Sequence, residues 1–231
     1  MIGVLPSPTS PPATVPGVAE QLEDPMHALC VWLAAIVAYG VFLAWYQNWR
    51  GSLTRAEIDA RMRRLEMKGM GTPAERAVLR TFFEADDGRE FLMLNLVRLH
   101  PEPVANPVTG ELQKARKLLD GYTRTFLRAL LRRGGHPAFL GVPVGGFVDT
   151  WGIDPGPGWG LVSMMRYRSR RDLIELITDD AFVDAYVFKR AAMPVTCSFP
   201  MGRIRFLTGP RVLAGLVLAL GAALAHCALV G

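Results

Sequence analysis

Two uninterrupted apolar stretches limit what this chain can fold into more than any other feature. Residues 27–46 read HALCVWLAAIVAYGVFLAWY and residues 212–230 read VLAGLVLALGAALAHCALV, and neither stretch holds an Asp, Glu, Lys or Arg. An α-helix rises about 1.5 Å per residue, so each stretch reaches about 30 Å, the hydrocarbon thickness of a bilayer. Helices buried in a soluble core are rarely apolar on every side for that length. Both are therefore expected to span a membrane. A cleaved signal peptide is the other reading of the first. It begins late, has no basic residues before it and is longer than a usual signal core, which favours an uncleaved anchor. Trp45 and Tyr46 at its end suit an interfacial aromatic belt.

The cations set the orientation. Residues 1–26 contain no Lys or Arg, whereas Arg50, Arg55, Arg61, Arg63, Arg64 and Lys68 follow the first stretch and Arg203, Arg205 and Arg211 precede the second. Positive loops stay on the cytoplasmic side, so the middle of the chain is expected inside and both termini outside, an arrangement suited to a bacterial inner membrane. The formal net charge of +5 is explained by cations held near anionic lipid and needs no nucleic acid as partner. Three cysteines make no disulfide framework; Cys30 and Cys227 fall in the apolar stretches and Cys197 in a reducing compartment.

Between the stretches the pattern is that of one folded domain. Residues 1–26, with six prolines, read as a disordered tail, and residues 47–88 as juxtamembrane helices. Thr54 with Glu57, and Thr72 with Pro73 and Glu75, have the spacing of helix starts. The first helix would either lie along the headgroups or pack on the domain. From 89 to 208 strands alternate with helices. FLMLNLVRL (91–99) reads as a buried strand, 100–110 as a proline-bearing loop, 113–133 as a helix stopped by Gly134 and Gly135, and 137–144 and 159–167 as strands. Ser169 and Asp179 cap helices that Pro194 ends, and 196–207 is the last strand. The order βαββαβ predicts an α+β fold, a ferredoxin-like four-stranded antiparallel sheet with two helices on one face. The other face is apolar in either register and needs a cover, supplied by a second copy of the chain or by the extra N-terminal helices.

The segments FLMLNLVRL, LLRRGGHPAFLG and GLVSMMRYRSRRDLIELITDDAFVDAY resemble the dimeric α/β-barrel superfamily, in its little-characterised branch related to antibiotic-biosynthesis monooxygenase-like domains. The resemblance covers residues 91–207 and leaves the apolar ends outside. It implies a homodimer in which two sheets pack face to face, and a pocket in each protomer between its own sheet and helices. Haem-degrading members carry a histidine in the last helix; FVDAYVFKRA here offers Tyr186 and Lys189, so haem is not implied and the cofactor is unknown.

Four residues are pocket candidates: Asn95, Tyr122, Trp151 and Arg166. Asn95 interrupts an apolar strand, where an unpartnered amide costs a few kcal/mol; it is either satisfied by backbone or, as in monooxygenase-like relatives, turned towards a ligand. Trp151 lies in the connector GGFVDTWGIDPGPG and reads either as a lid over a ligand or as loop packing. Arg166 within a strand must snorkel, pair or meet an anion. Arg168, Arg170 and Arg171 read as a solvated or lipid-facing cluster, and His136 as a solvated or capping residue. No His, Cys or acid spacing suggests a metal, and no nucleophile–base arrangement is present in the sequence. Two functions follow. One is a non-enzymatic scaffold dimerising at the bilayer. The alternative is a small-molecule-binding or monooxygenase-like domain with a small apolar ligand. They part on whether a cavity lies beside Asn95.

Overall fold

The computed structural model describes residues 20–151, 158–202 and 209–230. The chain divides into two compact units, Met1–Phe42 with Leu207–Gly231, and Leu43–Phe206.

The first unit is formed by helix α1 (Glu20–Tyr46) as far as Phe42, together with the C-terminal helix of the chain, Pro210–Val230. Met26–Tyr46 and Pro210–Leu229 are each long and apolar enough to cross a membrane. Large apolar side chains such as Ile36, Val41, Leu220 and Leu224 are exposed along them, a surface that water disfavours. The Tyr39 hydroxyl donates to the Arg211 carbonyl at 3.2 Å, and Gly215 lies against the Tyr39 ring. Gly40 and Gly221 have no such neighbour among the described residues.

The second unit begins with two short helices, α2 (Arg55–Met67) and α3 (Pro73–Glu84), and both open on capping boxes, Thr54 with Glu57 and Thr72 with Glu75. Ile58, Met62 and Leu65 of α2 are buried in the main core, so this helix packs on the domain. Then come β1 (Phe91–Arg98), the two-residue strands β2 (Val104–Ala105) and β3 (Leu112–Gln113), helix α4 (Ala115–Arg132), strands β4 (His136–Gly141) and β5 (Leu161–Tyr167), helices α5 (Arg170–Ile177) and α6 (Asp180–Ala192), and β6 (Val195–Met201). The C-terminal helix is α7.

The four long strands form one sheet in the order β4-β5-β1-β6 with every pairing antiparallel. Numbered among themselves they run 2-3-1-4, the ferredoxin-like arrangement expected from the sequence. The stretch read as loop instead carries the β2–β3 hairpin, held by Val104↔Gln113 and Ala105↔Leu112. Helices α4 and α6 pack side by side over one face of the sheet, with α2, α3 and α5 joining them at one end. Leu65, Phe83, Leu130, Ile174 and Leu176 are the innermost residues, and the Phe91 and Tyr167 rings stack at 5.0 Å across β1 and β5.

The other face of the sheet carries Leu94, Leu96, Phe139, Val162, Met164, Cys197 and Phe199, and Phe139 and Phe199 remain 49% and 41% exposed. The N-terminal helices do not serve as its cover, because they pack beside α5 in the helix layer.

Candidate functional site

Side chains alternate across a strand, so register decides which residues meet the helices. In β1 these are Met93, Asn95 and Val97; the antiparallel partners of Asn95 are Ser163 on β5 and Ser198 on β6. A row of three small polar side chains thus crosses an otherwise apolar floor. The Ser198 hydroxyl donates to Asn95 Oδ1 at 2.8 Å, and Asn95 Nδ2 donates to the Met93 carbonyl at 3.1 Å. Among the described residues, two further bonding positions of the amide and the Ser163 hydroxyl have no protein partner.

Above this row the helices do not close onto the sheet. A cavity of about 690 Å³ lies between them, its floor formed by Met93, Asn95, Val97, Leu161, Ser163, Met165 and Ser198 and its roof by Leu119, Tyr122, Phe126, Phe182, Tyr186 and Lys189. Leu65, Met70 and Leu79, contributed by the N-terminal helices and the turn between them, complete one wall. The lining is mostly carbon, with a few polar groups turned inward, the usual make-up of a small-molecule site.

Lys189 is the cation of the roof. Its Nζ lies 5.6 Å from the centroids of both the Tyr122 and Tyr186 rings. Burial lowers its pKa, because desolvation penalises the ammonium form. The Tyr122 phenol is pushed well above its ordinary value, again by desolvation, so it stays protonated at neutral pH. The remaining charged lining residues, Glu75, Arg116, Asp120 and Arg190, are solvent-exposed and form the rim.

Of the four sequence candidates, Asn95 and Tyr122 line this cavity. Trp151 does not; it is 82% exposed, and Asp154 of the same connector lies outside the described residues. Arg166 does not either. It points to the opposite face, fully buried, and donates from Nε and Nη2 to Glu90 Oε2 at 2.9 and 2.5 Å, from Nη1 to the Gly134 carbonyl at 2.5 Å and from Nη2 to the Tyr46 carbonyl at 3.0 Å. Its guanidinium also stacks 3.7 Å from the Tyr46 ring centroid. Of the three options open to a strand arginine it takes pairing.

The neighbouring arginines correct the reading of a solvated cluster. Arg168 pairs with Asp172 at 2.5 Å and donates to the Trp45 carbonyl at 3.0 Å; Arg170 lies over the Phe82 ring; Arg171, buried, pairs with Glu57 and donates to the Ser52 carbonyl. The Arg171 guanidinium, with the Thr54 backbone amide, lowers the Glu57 pKa to about 2. Tyr46 is likewise not part of an exposed aromatic belt: it is 2% exposed, and its hydroxyl meets His136 Nε2 at 3.1 Å.

Sequence reasoning passed over Ser163, Ser198 and, as a site residue, Lys189. The serines become neighbours of Asn95 only once the register is known. Lys189 did leave a signal: Phe182, Ala185, Tyr186 and Lys189 follow the i, i+3, i+4, i+7 spacing of a buried helix face, and a lysine ending such a stripe is displaced from where lysines normally sit.

No family model matches the chain, and no curated protein matches it. Among solved structures, the methylated RPA0582 protein is 24% identical, with 60% of this chain and 96% of that one covered and a TM-score of 0.48. RPA0582 in a second crystal structure, described as a protein of unknown function from Rhodopseudomonas palustris, is 23% identical, covering 59% and 96%, with a TM-score of 0.47. A dimeric protein of unknown function and ferredoxin-like fold from Bacteroides fragilis is 13% identical, covering 48% and 94%, with a TM-score of 0.31. The ferredoxin-like assignment of this chain stands on its own strand order and pairings.

Proposed function

We propose that the second unit is a small-molecule-binding domain, tethered to a lipid bilayer by the apolar helices of the first. One observation carries the reading: the cavity of about 690 Å³ beside Asn95. A mostly carbon-lined recess of this volume, open at a charged rim and carrying a few inward polar groups, has the form of a small-molecule site. A purely structural domain would fill it with side chains. In the monooxygenase-like alternative dioxygen would be the oxidant of an apolar substrate held over Asn95; in either case the Asn95–Ser198 pair and Ser163 supply the polar contacts.

The bilayer tether is supported by the length and uniform apolarity of the two stretches, and the cytoplasmic placement of the domain by the cations that flank them. A second reading, dimerisation, is favoured by the apolar sheet face with Phe139 and Phe199 exposed on it. A homodimer barrel would bury that face while leaving the ligand cavity, on the helix side, intact in each protomer.

Native mass spectrometry of the detergent-purified full chain tests the main reading. The expected spectrum shows a retained non-covalent adduct of roughly a few hundred daltons, the mass range a pocket of this size holds. The variant Leu119→Trp, which fills the roof, should lose it. An adduct retained in full by that variant, or a chain that leaves the cell without any bound molecule and takes none up from a panel of apolar compounds, would contradict the reading.

A further inference from the structure

Of the charged residues lining the cavity Lys189 alone is half-buried rather than exposed, and among the described residues no carboxylate meets it. Elsewhere in this unit the buried and half-buried arginines bond a carboxylate or another acceptor: Arg166 has Glu90, Arg171 has Glu57, Arg168 has Asp172 and Arg133 has Asp179, while Arg61 donates to the Thr178 hydroxyl and Arg170 to the Phe82 carbonyl. Lys189 is different. Among the described residues no Asp or Glu lies within salt-bridge distance of its Nζ and no hydrogen bond engages it; the faces of two tyrosine rings lie beside it. The two acids of the cavity lining, Glu75 and Asp120, are exposed at the rim, and Glu75 is already committed to the Thr72 amide as a helix cap.

A lysine in such a place is costly. Moving an ammonium out of water is penalised unless a counter-charge comes with it, and the aromatic faces of Tyr122 and Tyr186 offset only part of that. Leucine or methionine at position 189 would complete the apolar stripe of α6 at no such cost. The residue type therefore points to an anion as its partner.

We propose that the molecule bound in this cavity is an amphipathic carboxylate: its anionic head pairs with Lys189 Nζ between Tyr122 and Tyr186, and its apolar body lies along Met93, Met165, Leu119 and Phe126. The inference rests on the ligand-binding reading and adds the ligand's chemical class. The chemistry of the site agrees at each point. A carboxylate accepts charge-assisted hydrogen bonds from the ammonium in a low-dielectric setting, where such bonds are strongest. Burial with no carboxylate in reach lowers the Lys189 pKa, and pairing with an anion would favour the ammonium again. The rim adds Arg116 and Arg190 against Glu75 and Asp120, a balanced set that neither repels nor captures an anion, so selectivity falls to Lys189. The protonated Tyr122 phenol is a neighbouring donor.

Two probes of the same shape decide it: 2-naphthoate and 2-naphthamide, titrated by calorimetry into the full chain in nanodiscs, with empty nanodiscs as the blank. The wild type is expected to bind the carboxylate at least about tenfold more tightly than the amide, the preference a single charge-assisted pair supplies. Lys189→Met should abolish that preference, and Lys189→Arg should keep it. The wild-type comparison stands even where a variant does not fold. Equal affinity of the wild type for both probes, or a carboxylate preference that survives in Lys189→Met, overturns the inference and leaves the ligand-binding reading in place. Binding of neither probe overturns both.

Discussion

At the scale of single residues, the most heavily used side chain is one that sequence inspection placed in the pocket. Arg166 spends four hydrogen bonds on Glu90, Gly134 and Tyr46, joining segments 76, 32 and 120 positions away. A strand arginine in isolation leaves pairing and ligand binding equally open, because its partners are far off in sequence and nothing local names them. The polarity of Asn95 was legible; the two serines beside it were not, since pairing register is a property of three strands at once. The same holds for Arg168, Arg170 and Arg171: a run of arginines looks like a surface, and only the fold brings Asp172, Phe82 and Glu57 against them. A structural Arg166 makes a definite prediction. Arg166→Met removes a buried guanidinium from Glu90 and from the Gly134 and Tyr46 carbonyls and should destabilise the domain by about 3 kcal/mol, read as a lowered urea midpoint. It should leave cavity binding per folded molecule unchanged. A stable variant that loses ligand would return Arg166 to the site.

At the scale of elements, helix starts were the most legible feature, because a cap is written within four residues: Thr54 with Glu57, Thr72 with Glu75, Ser169 and Asp179 all accept the backbone amides their positions imply. The β2–β3 hairpin escaped notice because two paired residues per strand leave no alternation to read. The end of α4 is equally local. Gly134, at φ 69°, and Gly135 return their amides to Leu131 and Leu130, each at 3.0 Å, closing the helix in a Schellman turn. What the local pattern did not announce is that the turn also receives the last turn of α1: a Cβ at Gly134 would collide with the Trp45 carbonyl oxygen, and Trp45 Nε1 donates to the Leu131 carbonyl at 2.9 Å. Arg166 and Arg168 complete the arrangement by bonding the Tyr46 and Trp45 carbonyls, cations at the negative end of a helix dipole. Gly134→Ala should therefore cost more than the roughly 1–2 kcal/mol of a left-handed residue alone. It should also speed amide exchange in residues 45–50, measured by hydrogen–deuterium exchange. Unchanged exchange there would mean that the turn does not hold this helix end.

At the scale of the molecule, the sheet presents two unlike faces. One is roofed by helices that stand away from it around a cavity; the other is apolar and carries exposed Phe139 and Phe199. The alternation of apolar residues on both faces of β1 was visible in the sequence, and with it the need for a cover. The depth of the space under the helices was not, because it depends on how far α4 and α6 stand from the strands. If the bare face pairs with its copy, Phe199→Glu should convert a dimer into a monomer in light scattering of the detergent-solubilised chain without impairing ligand uptake. A wild type that is monomeric at all concentrations would contradict the pairing.

Methionine methyl NMR of the full chain in nanodiscs tests the central claim most directly, because the methionines report on both faces of the same sheet. Met93 and Met165 lie on the cavity floor and Met70 and Met193 in its walls, whereas Met164 lies on the opposite face. Titration with uncharged 2-naphthamide should shift the first four resonances saturably and leave Met164 in place. Saturable shifts at Met164 with Met93 and Met165 unmoved would contradict a ligand site between sheet and helices.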